Sequence, residues 1–295
     1  MSIIEKLAGR RVVASISGGK DSAAMSLWLT EQGIEHDRVF CDTGWEAQET
    51  YEHLGYLADR LGPITWLRGA RQMEELIEHK GMFPQRTRRF CTEELKVKPI
   101  LAHLNARVAA GEDVLNAVGV RAGESRARSE LPEWEWSKGF DCEVWRPLIR
   151  WTEADVIEIH RRHELLPNPL YLKGASRVGC FPCIFARKSE IRFIADQRPE
   201  QIVRIRRLEE RTQAAAFARQ EARGEGGLYN PPTFFQAPIR NAKGERPCMP
   251  IDQVVAWSRT SRGGKQVEIF APGSADDGCM RWGLCETDDP TPTPK

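Results

Sequence analysis

The segment Ser17-Gly18-Gly19-Lys20-Asp21-Ser22 constrains the fold of this chain more than any other. It follows an apolar run, Val12 to Ile16, and opens a helix-like stretch, Ala23 to Leu29, so the local order is strand, tight turn, helix N-terminus. Two glycines let the backbone bend closely enough to aim successive N–H groups at an anion, and the helix start adds unpaired donors and partial positive charge. The hydroxyls of Ser17 and Ser22 can reach the same anion, and Lys20 supplies a mobile point charge. The string therefore predicts a phosphate cradle. Its spacing is neither that of a Walker loop nor that of a dinucleotide-binding GxGxxG turn.

Further apolar runs at Arg38 to Cys41, Ile64 to Leu67, Asp113 to Val120 and Val144 to Ile149 alternate with helical patterns at Glu46 to Leu61, Gln72 to His79 and Thr152 to about His163. Such alternation predicts an α/β fold, a parallel sheet with helices on both faces, whose ligands sit at the carboxyl ends of the strands. After about residue 170 the pattern changes to a cysteine-bearing loop, Gly174 to Cys183, then a charged helical region from Lys188 to Arg223. A Gly/Pro-rich connector, Gly224 to Pro250, and an irregular tail follow. We accordingly place a nucleotide-binding domain at residues 1–170 and a mainly helical and irregular C-terminal region at 171–295.

The 43 basic and 42 acidic residues balance, so any contact with nucleic acid must be a local patch. The N-terminus lacks a signal-like pattern and no apolar run is long enough to span a bilayer, so the chain reads as soluble and cytoplasmic, with no membrane partner. Eight cysteines in such a chain point to metal ligands or reactive thiols rather than a disulfide framework.

Two segments should join the loop around a nucleotide. Asp42-Thr43-Gly44-Trp45 ends the second strand, where an acidic residue can meet ribose hydroxyls or help hold magnesium; an ordinary Asx turn is the alternative. Gly119-Val120-Arg121-Ala122-Gly123-Glu124-Ser125-Arg126 follows a later strand and brings two guanidiniums, suited to phosphate or sulfate by their planar fork. The nucleotide-binding candidates are thus Ser17, Gly18, Gly19, Lys20, Asp21, Ser22, Asp42, Thr43, Gly44, Gly119, Arg121 and Ser125. Lys20, Asp21, Arg121 and Arg126 are the catalytic candidates.

The loop resembles the SGGxDS signature of the PP-loop ATP pyrophosphatases, which split ATP between the α and β phosphates. The Asp42 to Trp45 string, the Gly119 to Arg126 segment, Arg146-Pro147-Leu148 running into Trp151 to Val156, and Pro169 to Leu172 occur in an order similar to that of the phosphoadenosine-phosphosulfate reductase family. The resemblance spans about residues 10 to 185. It implies a PP-loop (adenine nucleotide alpha-hydrolase-like) fold and chemistry on an adenylyl nucleotide connected with sulfur. Lys20 and Asp21 resemble the ATP-cleaving members, whereas Gly283-Leu284-Cys285-Glu286-Thr287 does not match the ECGLH-like ending of reductases that attack through a C-terminal cysteine.

Cys180-Phe181-Pro182-Cys183 can place two thiolates on one metal. With Cys91 upstream it resembles the iron-sulfur adenosine-phosphosulfate reductases, although Phe90 stands where those enzymes have a second, paired cysteine. Cys91, Cys180 and Cys183 are the ligand candidates, and Cys285 or Cys279 could complete the set. A [4Fe-4S] cluster, a zinc ion and metal-free thiols all remain open. Cys41, Cys142 and Cys248 read as packed or incidental. Arg86, Arg88 and Arg89 are placed to serve the nucleotide or a sulfate. Arg204, Arg206, Arg207 and Arg211 read as a solvated helix face, as do His160 and His163, and the tryptophans read as packing residues.

The leading functional expectation is binding of ATP with magnesium, release of pyrophosphate, and adenylation of an acceptor that a sulfur donor then thiolates, as in the thiolating branch of the PP-loop enzymes that includes those linked to DNA phosphorothioation. The acceptor could be a nucleic acid or a small molecule, and the donor a protein. Three alternatives stay open: a reductase of adenosine phosphosulfate or its 3′-phosphorylated form, an ATP-sulfurylase-like subunit, and a non-catalytic nucleotide- or nucleic-acid-binding module.

Overall fold

The computed structural model describes residues 3–224, 231–237, 242, 244, 246–260 and 282. Strands β1 (Arg10–Ser15), β2 (His36–Asp42), β3 (Ile64–Arg68), β4 (Asp113–Val118), β5 (Trp134–Ser137) and β6 (Cys142–Trp145) form one sheet in the order β3-β2-β1-β4-β6-β5. All neighbours are parallel except β5 against β6. The strand order reverses at β1, so a crevice opens between the carboxyl ends of β1 and β4, where doubly wound sheets bind ligands.

Alternation along β1 fixes the layers. Val12, Ala14 and Ile16 face one core with Leu27 and Leu29, Leu54 and Leu57, and Val156 and Ile159. These pairs belong to helices α2 (Lys20–Glu31), α3 (Gln48–Leu61) and α8 (Glu153–Arg162) respectively. Val13 faces the opposite core with Val39, Val114, Ile100 and Leu104, the last two from α6 (Lys98–Ala109). A two-residue period thus buries both faces of a central parallel strand. Short helices α1 (Ile3–Leu7), α5 (Phe90–Thr92), α7 (Arg126–Ser129) and α9 (Pro169–Leu172) fill the connections.

A further core joins Trp45, Phe83, Leu95 and α4 (Met73–Lys80) to Ile191, Ile194, Ile202, Ile205, Leu208 and Val254. The last six lie on α10 (Lys188–Gln197), α11 (Pro199–Ala222) and α12 (Ile251–Ser258), while Phe235–Gln236 and Cys248–Met249 form a small hairpin, β7 and β8. The buried Glu209 carboxylate fixes that hairpin and α12 by accepting the N–H groups of Phe234 and Ile251, each at 3.0 Å.

Three differences from the sequence reading have local causes. The charged stretch from Lys188 breaks at Arg198, because Pro199 has no N–H to continue a helix and is suited to start the next. Trp134 to Ser137 forms an edge strand that the apolar runs did not predict: Trp134 stacks on Trp145 at 4.9 Å and Glu135 pairs with the buried Arg146. Helix α6 was not expected; it continues a π-helical turn, Glu93–Val97, with Pro99 in its first turn.

His53 is buried and stacked on Tyr56, and burial drops its pKa from the ordinary 6.5 to about 4; His36, His103 and His160 shift the same way for the same reason. A neutral imidazole in the folded chain contributes stability that is complete above pH 6.5 and is lost as the unfolded chain takes up protons toward pH 4. Urea midpoints should therefore be level above neutrality and fall as pH drops from 6.5 to 4, with His53→Phe flattening part of the slope.

Candidate nucleotide and cysteine site

The loop after β1 is closed by its own serines. Ser22 Oγ accepts the Ser17 N–H at 3.0 Å, lies 3.1 Å from Ser17 Oγ, and donates to the Gly19 carbonyl at 3.0 Å. Gly18 takes φ +72°, and a Cβ there would stand 2.7 Å from the Thr50 side chain, so glycine is needed twice over.

Three residues from the far side of the sequence hold this turn. Asn168 Nδ2 donates to the Gly18 carbonyl at 3.2 Å while its Oδ1 caps α9 through the Leu170 N–H. The Tyr171 hydroxyl accepts the Lys20 N–H at 3.3 Å. It also meets the backbone of Val178, which leads into the cysteine loop. His160 places Nε2 2.9 Å from the Lys20 carbonyl and Nδ1 3.1 Å from that of Leu165. Burial favours its neutral form, which has a single N–H to give. His160 is 1% exposed, so the expected solvated face is corrected: α8 turns this histidine inward, and only His163 faces out, against Glu31.

Lys20 is buried, its ammonium 4.7 Å over the Tyr171 ring, 3.5 Å from Glu153 and 3.8 Å from Asp21. Asp21 is also held by Arg121 Nε, which reaches it from the end of β4. Gly119 permits that approach, since a Cβ would lie 2.9 Å from both the Asp21 carbonyl and Ser22 Cα. The result is an alternation of charges beside a helix N-terminus, with Arg121, Asp21 and Lys20 largely shielded from water and Glu153 partly exposed.

The structure brings Arg121 to the loop but not Arg126, whose side chain is 96% exposed and, among the described residues, pairs with Glu130 at 3.7 Å. The reason is the turn at Ala122–Glu124, after which Ser125 Oγ caps α7 through the Arg128 N–H. Asp42 is 3% exposed and turned inward, accepting from Gly44 N–H, the Tyr51 hydroxyl and Arg68 Nε at 3.0, 2.9 and 2.8 Å. It organises the Thr43-Gly44-Trp45 turn rather than presenting a free carboxylate. Thr43 donates its hydroxyl to the buried Glu46 at 2.7 Å.

The cysteine loop docks on this turn. The Phe181 N–H donates to the Trp45 carbonyl at 2.8 Å, Trp45 Nε1 donates to the Pro182 carbonyl at 3.0 Å, and a single β-bridge pairs Glu46 with Cys180. Cys91, Cys180 and Cys183 interact electrostatically with one another. Burial pushes the Cys180 thiol up to about 11 and raises Cys91. Lys96 lies among them; Cys180, Glu46, Cys183 and Cys41 together hold its ammonium charged above the usual lysine range. Lys96 had no signal in the sequence, because the π-helical turn that aims it inward leaves no distinctive pattern, and Glu46, expected at the start of a helix, is instead held by the turn after β2. Among the described residues no three His, Cys, Asp or Glu side chains converge closely enough for a single metal ion. Cys279 and Cys285 lie outside the described residues, although Trp282 packs against His160 and Tyr171 at 5.2 and 6.1 Å. Cys41 and Cys142 are buried and Cys248 half-buried.

Fold and site together define an α/β protein with a mostly parallel sheet and a glycine turn between β1 and α2 at the carboxyl edge of its strands. A family model for the phosphoadenosine phosphosulfate reductase domain matches residues 11–186, and the chain belongs to that family. It is 32% identical to an uncharacterised 37.8 kDa protein of Escherichia phage 186, over 93% of this chain and 96% of that one. It is 28% identical to an adenosine 5′-phosphosulfate reductase of Mesorhizobium japonicum, over 62% of this chain and 71% of that one. Of an uncharacterised Methanocaldococcus jannaschii protein, 31% identical, the chain spans 39%. A crystal structure of phosphoadenylyl-sulfate reductase from Candida auris aligns with TM-score 0.46 and 18% identity over 60% of this chain and 84% of that one. No helix among the described residues is long and apolar enough to cross a membrane.

Gly119→Ala should force Asp21 and Ser22 away from β4 and weaken adenine-nucleotide binding at least tenfold in isothermal titration. Tyr171→Phe, which keeps the ring under Lys20 but removes the shared acceptor, should weaken it less.

Proposed function

We propose that this chain binds ATP in the Ser17–Ser22 loop, releases pyrophosphate, and adenylates an acceptor oxygen that is then replaced by sulfur. The observation that carries this reading is the buried Lys20–Asp21–Arg121 array at the loop, since two fixed cations beside backbone N–H donors suit a polyphosphate whose charge shifts during reaction. The acceptor oxygen attacks the α phosphorus; the bond to the bridging oxygen breaks, and pyrophosphate leaves with its electron pair. A sulfide nucleophile then attacks the activated carbon: the C–S bond forms as the C–O bond breaks, and AMP departs with the acceptor's oxygen and the electron pair of that bond. Lys20 and the loop amides bind the phosphates, Asp21 orients both cations, and Arg121 faces the developing charge.

Asp21, Asp42 and Glu124 are each engaged by a cation or an N–H group, so magnesium would be held through phosphate oxygens and water rather than a protein carboxylate cage. Cys91, Cys180 and Cys183 would hold an iron-sulfur cluster. Three thiols on two segments around a buried ammonium suit an anionic group that takes one thiolate per iron. Bound there, the cluster would supply the sulfur-handling chemistry.

Names among the relatives favour a second reading, reduction of adenosine 5′-phosphosulfate. The two are separated by products, pyrophosphate against sulfite. Lys20→Met should lower ATP-dependent pyrophosphate release by about 100-fold in a coupled phosphate assay; ATP-independent sulfite release by the wild type would overturn the ATP reading.

A further inference from the structure

The chain's charges balance overall, yet the loop that enters the cysteine site concentrates one sign. Arg86, Arg88 and Arg89 all lie exposed, and none has a carboxylate within ion-pair distance among the described residues. Arg89 Nη2 donates to Thr92 Oγ1 at 3.2 Å, a neutral partner. The loop is held in shape: Gln85 and Arg88 exchange two backbone hydrogen bonds of 3.1 and 3.0 Å, which closes a tight turn with Arg86 and Thr87 at its tip.

Two of these guanidiniums converge on one ring. Arg86 and Arg89 sit 5.7 and 5.2 Å from the centroid of Phe185, a half-buried residue two positions after Cys183. Cation–π attraction offsets part of the repulsion between them, but it supplies no counter-charge. Several other arginines are paired, Arg204 and Arg211 with Glu74, Arg206 with Asp252, and Arg162 with Glu31, whereas those without a carboxylate partner among the described residues, such as Arg150 and Arg207, do not gather on one ring. Three uncompensated cations braced by an aromatic ring, on the two segments that carry Cys91 and Cys183, are arranged for a ligand with several separated negative charges.

We infer that Arg86, Arg88, Arg89 and Phe185 form a docking rim for single-stranded nucleic acid, which delivers the acceptor to the space between the glycine loop and the cysteines. This rests on the adenylation and thiolation reading given above. A strand fits better than an acidic peptide because guanidinium planes backed by a ring can stack unpaired bases while neighbouring cations neutralise phosphates. A duplex hides its base faces and would use only the charges.

The test is fluorescence anisotropy of the full chain with labelled single-stranded DNA and RNA oligonucleotides, the matching duplexes and poly-glutamate, across a salt series. Single strands should bind more tightly than duplex or poly-glutamate. Arg86→Gln/Arg88→Gln/Arg89→Gln should lower the slope of log affinity against log salt by about 2, with an unchanged melting temperature showing an intact fold. Phe185→Leu should weaken single strands more than duplex. No strand binding at low salt, an unaltered slope in the triple variant, or equal binding of poly-glutamate would each overturn the inference. Pyrophosphate release, read on the same preparations, separates the two claims: strand binding without it overturns the ATP reading alone, and its presence without strand binding overturns the rim alone.

Discussion

The glycine turn depends on three side chains that reach the backbone of Gly18 and Lys20 from more than a hundred positions later. A glycine turn is the most permissive backbone a chain can have, and an anion cradle needs its N–H groups aimed before the anion arrives. Asn168, Tyr171 and His160 remove that freedom. Because Asn168, Tyr171 and His160 are almost wholly buried, their bonds form where water cannot compete.

The same residues couple two chemical centres. Tyr171 sits beneath the Lys20 ammonium and contacts the backbone of Val178, the approach to Cys180. The cysteine loop is fastened on its other side to the turn after β2 through Trp45 and Glu46. The glycine turn and the cysteine loop are thus two ends of one hydrogen-bonded surface along the carboxyl edge of the sheet. Lys96 faces the buried Glu46 beside the cysteines, and Lys20 and Arg121 face Asp21 at the glycine turn, so the charges of both loops work against fixed partners with little water between them.

Much of the fold was legible because its signals are local. Five strands and the helices at α2, α3, α4 and α8 announce themselves by apolar period, and the cradle by its glycines. Edge strand β5 was hidden since its stability comes from cross-strand partners, Trp145 and Arg146, which no window around Trp134 contains. Helix α6 was hidden behind a π-helical turn, whose geometry has no residue pattern of its own.

For the site, residue chemistry alone pointed to Ser17 to Ser22 as an anion cradle with Arg121 beside it, and grouped Cys91, Cys180 and Cys183. Tertiary structure decided which candidates point where. It turned Asp42 inward, left Arg126 in solvent, and buried His160, which had read as part of a solvated helix face. It also recruited Asn168, Tyr171 and Lys96. The physical reason is that a residue type fixes what a side chain can donate, accept or carry, whereas its orientation and its desolvation are set by neighbours distant in sequence.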